Sequence, residues 1–361
     1  MHITIFSVKG FTGEALRDKL EARLLHHHIV YELSEVHHVD RFIQEGLHSV
    51  PAIKIDSKVF IHPHDGSLDE TVEEVMEYLL TEKLKSVLVP IDFTPESLHA
   101  LNYARMMAEH NRLGLTLVHV HQPVYDPVSA GALDVQLHQE TFHQLETLVR
   151  QIETDNETRG ILMPVHFHLE VGEASSSLIQ MSHHDRFEMI VMSTKNADNF
   201  FRRLFGTISS KVSRHSHIPV LVIPPQAEIT FPAKMVVGFT DELLMDGSLD
   251  FILTFGGNHQ VIFDFVNVTD DAKDFLQLKN KLDEKLQPHR DALTGYHIRS
   301  VHKKERPIHE VLFHYTNEVK AGLMVLISHH RGFLETMMHS SVTEKVLRHP
   351  STPVMIIHHP A

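Results

Sequence analysis

Leu204-Phe205-Gly206-Thr207, then Val212-Ser213-Arg214-His215, then Ile218-Pro219-Val220-Leu221-Val222-Ile223 is the stretch that decides the fold, because the chain repeats it. The later copy reads His339-Ser340-Ser341, Val346-Leu347-Arg348-His349 and Thr352-Pro353-Val354-Met355-Ile356-Ile357. From Gly206 to Pro219 the two align without a gap, 134 positions apart (353 − 219). Each reads as a helix feeding a short apolar strand. Upstream, Met192-Ser193-Thr194-Lys195-Asn196 answers to Ile327-Ser328-His329-His330. The starts also match. Lys85-Ser86-Val87-Leu88-Val89-Pro90-Ile91-Asp92 lies against Lys234-Met235-Val236-Val237-Gly238-Phe239-Thr240-Asp241, which pairs Asp92 with Asp241. A period this long means duplicated whole domains, not a solenoid.

Within each copy, apolar strands alternate with helical patterns. Val87–Ile91 is a near-continuous apolar strand, as expected when both sheet faces are covered. Pro95 to about His110 is a helix with Thr94 as its cap. Leu115–Val120 is a strand, Gln122–Asp134 a loop, Val135–Thr154 a long helix. Val165–Val171 and Met189–Met192 are strands around a helix at Ala174–His183. The last helix, Leu204–Arg214, precedes the final strand. The second copy repeats this with strands at Met235–Phe239, Val261–Val268, Tyr296–Val301, Leu323–Ile327 and Val354–Ile357. Alternation of this kind implies a doubly wound parallel sheet with helices on both faces. The copies span residues 84–225 and 233–360, joined by a linker from Pro224 to about Pro232.

These residues resemble the universal stress protein family in both copies. The resemblance implies strand order 3-2-1-4-5 in an αβα sandwich, with the two domains packed as a pseudo-dimer through their last strands. It also implies a nucleotide site. Family members that bind nucleotide carry G-x2-G-x9-G-[ST] after the fourth strand, where backbone N–H groups approach phosphate. In the first copy this pattern falls on Ser193, Asn196, Gly206 and Thr207 with its spacing intact. Two of three glycines are replaced. Asp92, at the end of the first strand, and Val120 complete the expected site, and Arg202 and Arg203 add positive charge nearby. In the second copy Ser328, His329 and His330 replace the glycines, Ser340-Ser341 replaces Gly-Thr, and the loop is one residue shorter when Ser328 is matched to Ser193. No cofactor is required by the chain's own residues; ATP or AMP in the first copy is what the resemblance implies.

Residues 1–82 read differently. Strands at Ile3–Phe6 and Ile29–Leu33, helices at Gly13–His27 and Val39–Glu45, a hairpin over Ala52–Ile61 and a helix at Thr71–Leu80 give the order βαβαββα. With Val50-Pro51 before the hairpin, this resembles a small thioredoxin or glutaredoxin domain. The redox C-x-x-C would fall on Phe11-Thr12-Gly13-Glu14, so thiol–disulfide exchange is impossible. A domain kept for packing or partner binding is one reading. A groove for glutathione or peptide around Val50, Pro51, Gly66 and Ser67 is the other.

Composition bounds the rest. A chain of 361 residues suits two or three domains. No apolar run nears the ~18 residues that span a bilayer. Met1-His2-Ile3-Thr4 opens no signal peptide, so the expected location is the cytoplasm. Cysteine is absent, which excludes disulfides, thiolate metal sites and cysteine nucleophiles. The formal charge is −14 with 33 histidines counted neutral. At pH 7 about a quarter of exposed histidines are protonated, which brings the charge to roughly −6. An acidic chain without a basic stripe argues against nucleic acid. Histidine pairs such as His119 with His121 and His166 with His168 share strand faces and are chemically fit for zinc or copper. No H-E-x-x-H occurs, and no metal site is assigned.

Three readings remain. The first is a non-catalytic cytoplasmic stress-response protein that acts by binding an unidentified protein or a small ligand. The second is an adenine-nucleotide sensor with one weak site in the first copy. The third is a histidine-based responder to pH or metal. No catalytic residues are assigned.

Overall fold

The computed structural model describes residues 2–8, 11–26, 31–47, 49–55, 58–63, 66–79, 84–122, 130–194, 207–244, 247–257, 260–302, 307–328 and 351–358. The chain divides into two units, Met1–Leu84 and Lys85–Ala361.

The first unit runs β1 (His2–Phe6), α1 (Phe11–His26), β2 (Glu32–Val36), α2 (Val39–Gln44), β3 (Ala52–Ile55), β4 (Lys58–Ile61), α3 (Leu68–Tyr78). The sheet order is β2-β1-β3-β4. β1 is parallel to β2 and antiparallel to β3. Ile3, Ile5, Ile53 and Ile55 pack against Leu16, Leu20 and Leu24 of α1 and Val72, Val75 and Met76 of α3. Strand alternation sends Phe6 and Ala52 to the other face, where they meet Phe42 of α2. β2 starts at Glu32, later than the expected Ile29, and residues 27–30 lie outside the described ones. α3 starts earlier than Thr71 because Ser67 and Glu70 form a capping box: Ser67 Oγ accepts from the Asp69 amide and Glu70 Oε2 from the Ser67 amide. Gly13 sits where a Cβ would come within 2.4 Å of Ser7 Oγ, so α1 crosses the end of β1 closely. The Val50–Pro51 bond is cis. The Phe11 side chain lies outside the described residues.

The second unit holds both copies. The first contains β5 (Ser86–Pro90), α4 (Pro95–Asn111), β6 (Gly114–His121), α5 (Ala130–Arg159), β7 (Val165–Val171), α6 (Ala174–Met181), β8 (Phe187–Ser193), α7 (Thr207–His215) and β9 (Val220–Ile223). The second contains β10 (Lys234–Gly238), a 3-10 turn (Asp241–Leu244), α8 (Ser248–Gly257), β11 (Ile262–Val268), α9 (Ala272–Leu286), β12 (Gly295–Val301), α10 (Ile308–Glu318), β13 (Leu323–Ser328) and β14 (Val354–His358). α5 starts at Ala130, inside the stretch expected to be loop, and ends at Arg159 rather than Thr154.

The described strands of this unit form one sheet, in the order β12-β11-β10-β13-β14-β9-β8-β5-β6-β7. Each half is therefore 3-2-1-4-5. The halves meet where β14 pairs antiparallel with β9, Met355 opposite Leu221. The cores are continuous across this seam. On one face Val89, Val191, Leu221, Met355, Val325 and Val237 belong to one cluster. On the other, Leu88, Ile190, Val220, Ile356, Met324 and Val236 do.

Strand register corrects the alignment of the two copies. Leu88 pairs with Thr116 and Ile190, and Val236 pairs with Asp264 and Met324. Leu88 and Val236 face the same core, as do Val87 and Met235. The first strands are thus 148 positions apart (236 − 88), not 149 (241 − 92). Asp92 corresponds to Thr240, not to Asp241. A one-residue slip matters because it sends every side chain to the opposite face. The closing strands keep the 134-residue offset: Ile190 pairs with Val220 and Met324 with Val354. Ser193 therefore corresponds to Ile327, and the connection that follows has equal length in both copies.

Candidate functional site

In open parallel sheets, ligands sit beyond the carboxyl ends of the strands, where strand order reverses. In the first copy that place lies between β5 and β8. Asp92 lies two residues beyond β5 and is exposed; Ser193 ends β8 and is half-buried.

The turn after β5 is built tightly. Asp92 Oδ1 accepts from the Thr94 amide at 3.2 Å and from Thr94 Oγ1 at 2.5 Å. Thr94 caps α4 by accepting from the Ser97 amide, and Ser97 Oγ donates to the Thr94 carbonyl. Between them Phe93 takes a left-handed backbone, φ 59°, rare for a large side chain. Its ring leans on His119, with centroids 5.7 Å apart. His119 Nδ1 lies 2.8 Å from the Ile91 carbonyl oxygen. Ile91, Phe93 and His119 thus line one side of the sheet. The Val120 side chain packs against the core on the opposite face of the sheet. Asn196 and Gly206 lie outside the described residues, as do Arg202 and Arg203. Thr207 opens α7. Thr194 is buried, and its amide donates to Ile223.

The second copy is different at each matching place. Thr240 stands for Asp92, Ile327 for Ser193, and Asn267 for His119, donating to the Phe239 carbonyl at 2.9 Å. Asp241 instead pairs with Lys281 of α9 at 2.8 Å, on the wall of a cleft of about 550 Å³ floored by Leu243, Leu244 and Leu249. Asp264, 2% exposed on β11, is a polar cluster that the sequence reading missed. Its carboxylate accepts from His297 Nδ1 at 2.8 Å and from the Tyr315 hydroxyl at 3.2 Å, with Arg299 Nε at 3.7 Å. Burial, then the Asp264 charge, holds the Tyr315 hydroxyl above its usual pKa. An acidic residue inside a buried parallel strand was the available signal.

His168 and His217 titrate below the usual histidine value. Burial, then Arg186, lowers His168; burial, then His183, lowers His217. The His183 and His217 rings lie 3.6 Å apart. Among the described residues, no group of three or more His, Asp or Glu side chains could hold a metal ion. In the first unit a cleft of about 470 Å³ is lined by His2, Thr4, Ser34, Arg41, Glu45 and Lys54. Val50, Pro51, Gly66 and Ser67, the expected groove, do not line it. Among the described residues, no helix is long and apolar enough to cross a membrane.

Two doubly wound α/β domains joined edge to edge define a class of tandem α/β proteins. The universal stress protein family model matches residues 83–224 and 234–358, and the chain belongs to that family. A universal stress protein of Mycolicibacterium smegmatis is 22% identical over 287 residues, spanning 75% of this chain and 96% of the relative. One of Mycobacterium tuberculosis is 22% identical over 292 residues, spanning 75% and 95%. The crystal structure of a universal stress protein from Archaeoglobus fulgidus superposes with a TM-score of 0.56 at 17% identity, over 76% of this chain and 96% of that one. A putative universal stress protein from Pseudomonas aeruginosa gives a TM-score of 0.50 at 13% identity, over 76% and 94%. At these identities the structures show a shared fold.

Proposed function

We propose that this protein serves the stress response by binding rather than by catalysis, in the cytoplasm, and that its small ligand is an adenine nucleotide held weakly by the first copy alone. One observation carries the choice of copy. An exposed carboxylate, Asp92, follows the central strand of the first copy by two residues, where the second copy has Thr240. Asp92 also braces the Thr94 turn, which suits a positioning group better than a base that must accept a proton. The second copy then serves to cover β9, an apolar strand that would otherwise be an open edge.

We read the first unit as thioredoxin-like. Its strand order, the parallel β1–β2 pair beside antiparallel β3, and α1 and α3 on one face with α2 on the other support that reading. Without cysteine its role is contact with a protein partner.

Calorimetric titration with ATP and AMP tests the nucleotide. Two lost glycines weaken phosphate contacts, so the wild type is expected to bind no tighter than the high micromolar range. Asp92→Ala removes a charged hydrogen-bond acceptor of about 1.5–3 kcal/mol and should weaken binding at least tenfold. A melting curve on the same variant separates lost binding from lost folding. Binding unchanged in Asp92→Ala would put the ligand elsewhere.

A further inference from the structure

In the first unit one face of the sheet is only partly covered. The six-residue α2 reaches Phe6 and Ala52 through Phe42. Nearer the start of β1 the same face carries His2 and Thr4. Ser34 of β2 and Lys54 of β3 stand in register on either side of Thr4. Together with Arg41 of α2 and Glu45 at its end, these residues line the cleft of about 470 Å³. That is the size of a small-molecule pocket.

What this cleft leaves unpaired is donors. Ser34 Oγ donates to Thr4 Oγ1 at 3.1 Å. A hydroxyl has one hydrogen, so in the 3.1 Å contact between His2 Nε2 and Ser34 Oγ the ring is the donor. The relay ends on Thr4, half-buried on an interior strand, whose own hydroxyl hydrogen has no acceptor among the described residues. Arg41 and Glu45 lie one turn apart, a spacing that allows an ion pair. Glu45 pairs instead with Lys54 across the cleft. The exposed Arg41 guanidinium has no ion pair or hydrogen bond among the described residues. Arg41 and Lys54 outweigh Glu45 by one positive charge, in a chain whose formal charge is −14. An arginine fork beside a lysine and a hydroxyl donor matches the several acceptor oxygens of a phosphate. Phe6 and Val36 give the cleft an apolar end. We propose that this cleft binds a phosphate group through Arg41, Lys54 and Thr4, with Phe6 and Val36 open to an organic substituent. The site lies within the first unit and is independent of the nucleotide reading above.

The test is calorimetric titration of the full chain with inorganic phosphate and with phenyl phosphate, on the wild type, Arg41→Gln, Thr4→Val and Lys273→Gln. Arg41→Gln removes an exposed charge without breaking an ion pair, and Thr4→Val keeps the branched shape that suits a strand. Melting curves on both confirm the fold. Arg41→Gln is expected to weaken binding at least tenfold, the loss of a charge-assisted hydrogen bond, and Thr4→Val about fivefold. Lys273→Gln, an exposed lysine on α9, is expected to bind as the wild type does. Phenyl phosphate binding tighter than inorganic phosphate supports the proposal with an organic phosphate as the ligand. Equal affinity for the two supports it with free phosphate as the ligand. Failure of the wild type to bind either anion overturns the proposal. So does affinity unchanged in both Arg41→Gln and Thr4→Val, or a loss in Lys273→Gln as large as that in Arg41→Gln, which would mean general attraction to positive charge.

Discussion

Leu221→Ala is expected to lower the stability of residues 85–361 by about 3 kcal/mol, within the range for emptying a fully buried leucine site. Leu221 is 0% exposed and lies in β9, at the seam between the copies. Met355, also 0% exposed, stands directly opposite it on β14. Both belong to a core cluster that includes Val89 of the first copy and Val237 of the second. Met355→Ala should cost a similar amount. The double variant should cost less than the sum, because the second truncation enlarges a cavity that the first has opened; neighbours in contact couple by about 0.5–3 kcal/mol. Leu276, 56% exposed on α9, is the control, and Leu276→Ala should change stability by no more than about 0.5 kcal/mol. Urea unfolding followed by far-UV circular dichroism reads all four. One core across the seam also predicts that both copies unfold in one transition. Two separate transitions, with Leu221→Ala shifting only the first copy's, would mean that the seam holds two independent domains.

The same seam was legible in the sequence, and the reason is instructive. Around Pro219 and Pro353 the copies align without a gap because the residues there differ in kind from one position to the next. The first strands were legible as strands but not in register. Val87–Val89 and Met235–Val237, the centres of these strands, are buried on both faces, so they are apolar without the alternation that would mark a face. Lys85 and Lys234 then attracted a match one residue out. Only the pairing of Leu88 with Thr116 and of Val236 with Asp264 reveals the slip. The error reached the candidate site directly, since it lent the second copy an aspartate at a place where Thr240 stands. It also hid the kinship of His119 and Asn267, which share no chemistry that a sequence comparison would score. Asp92 and Ser193, by contrast, follow from their positions beside the ends of β5 and β8, where strand order reverses. Val120 sits near the end of β6, where period-two alternation turns its side chain to the face opposite His119.

Acid should destabilise the second unit between about pH 6.5 and 4, and His309 should account for one proton of that dependence. His309 is 1% exposed at the start of α10, and burial pushes its pKa down to about 4. In the unfolded chain the ring titrates near ~6.5. Below that value the unfolded state binds a proton that the folded state refuses, so stability falls as pH falls. The slope is about 1.4 kcal/mol per pH unit, and the loss is bounded near 3 kcal/mol, complete by about pH 4. His168 and His217, lowered chiefly by burial, act with the same sign. Glu173 acts later. Its hydrogen bonds from Ser175 and Ser176 hold its carboxyl at about 2, so its share is lost only as pH drops from the ordinary carboxylate range toward 2. The two windows are therefore separable. His309→Phe keeps an apolar ring and removes the titration. Whatever it does to stability at pH 7, its plot of unfolding free energy against pH from 6.5 to 4 should be shallower than the wild type's by one proton. Parallel plots would show that His309 binds a proton equally well folded and unfolded, and that the acid sensitivity lies in other side chains.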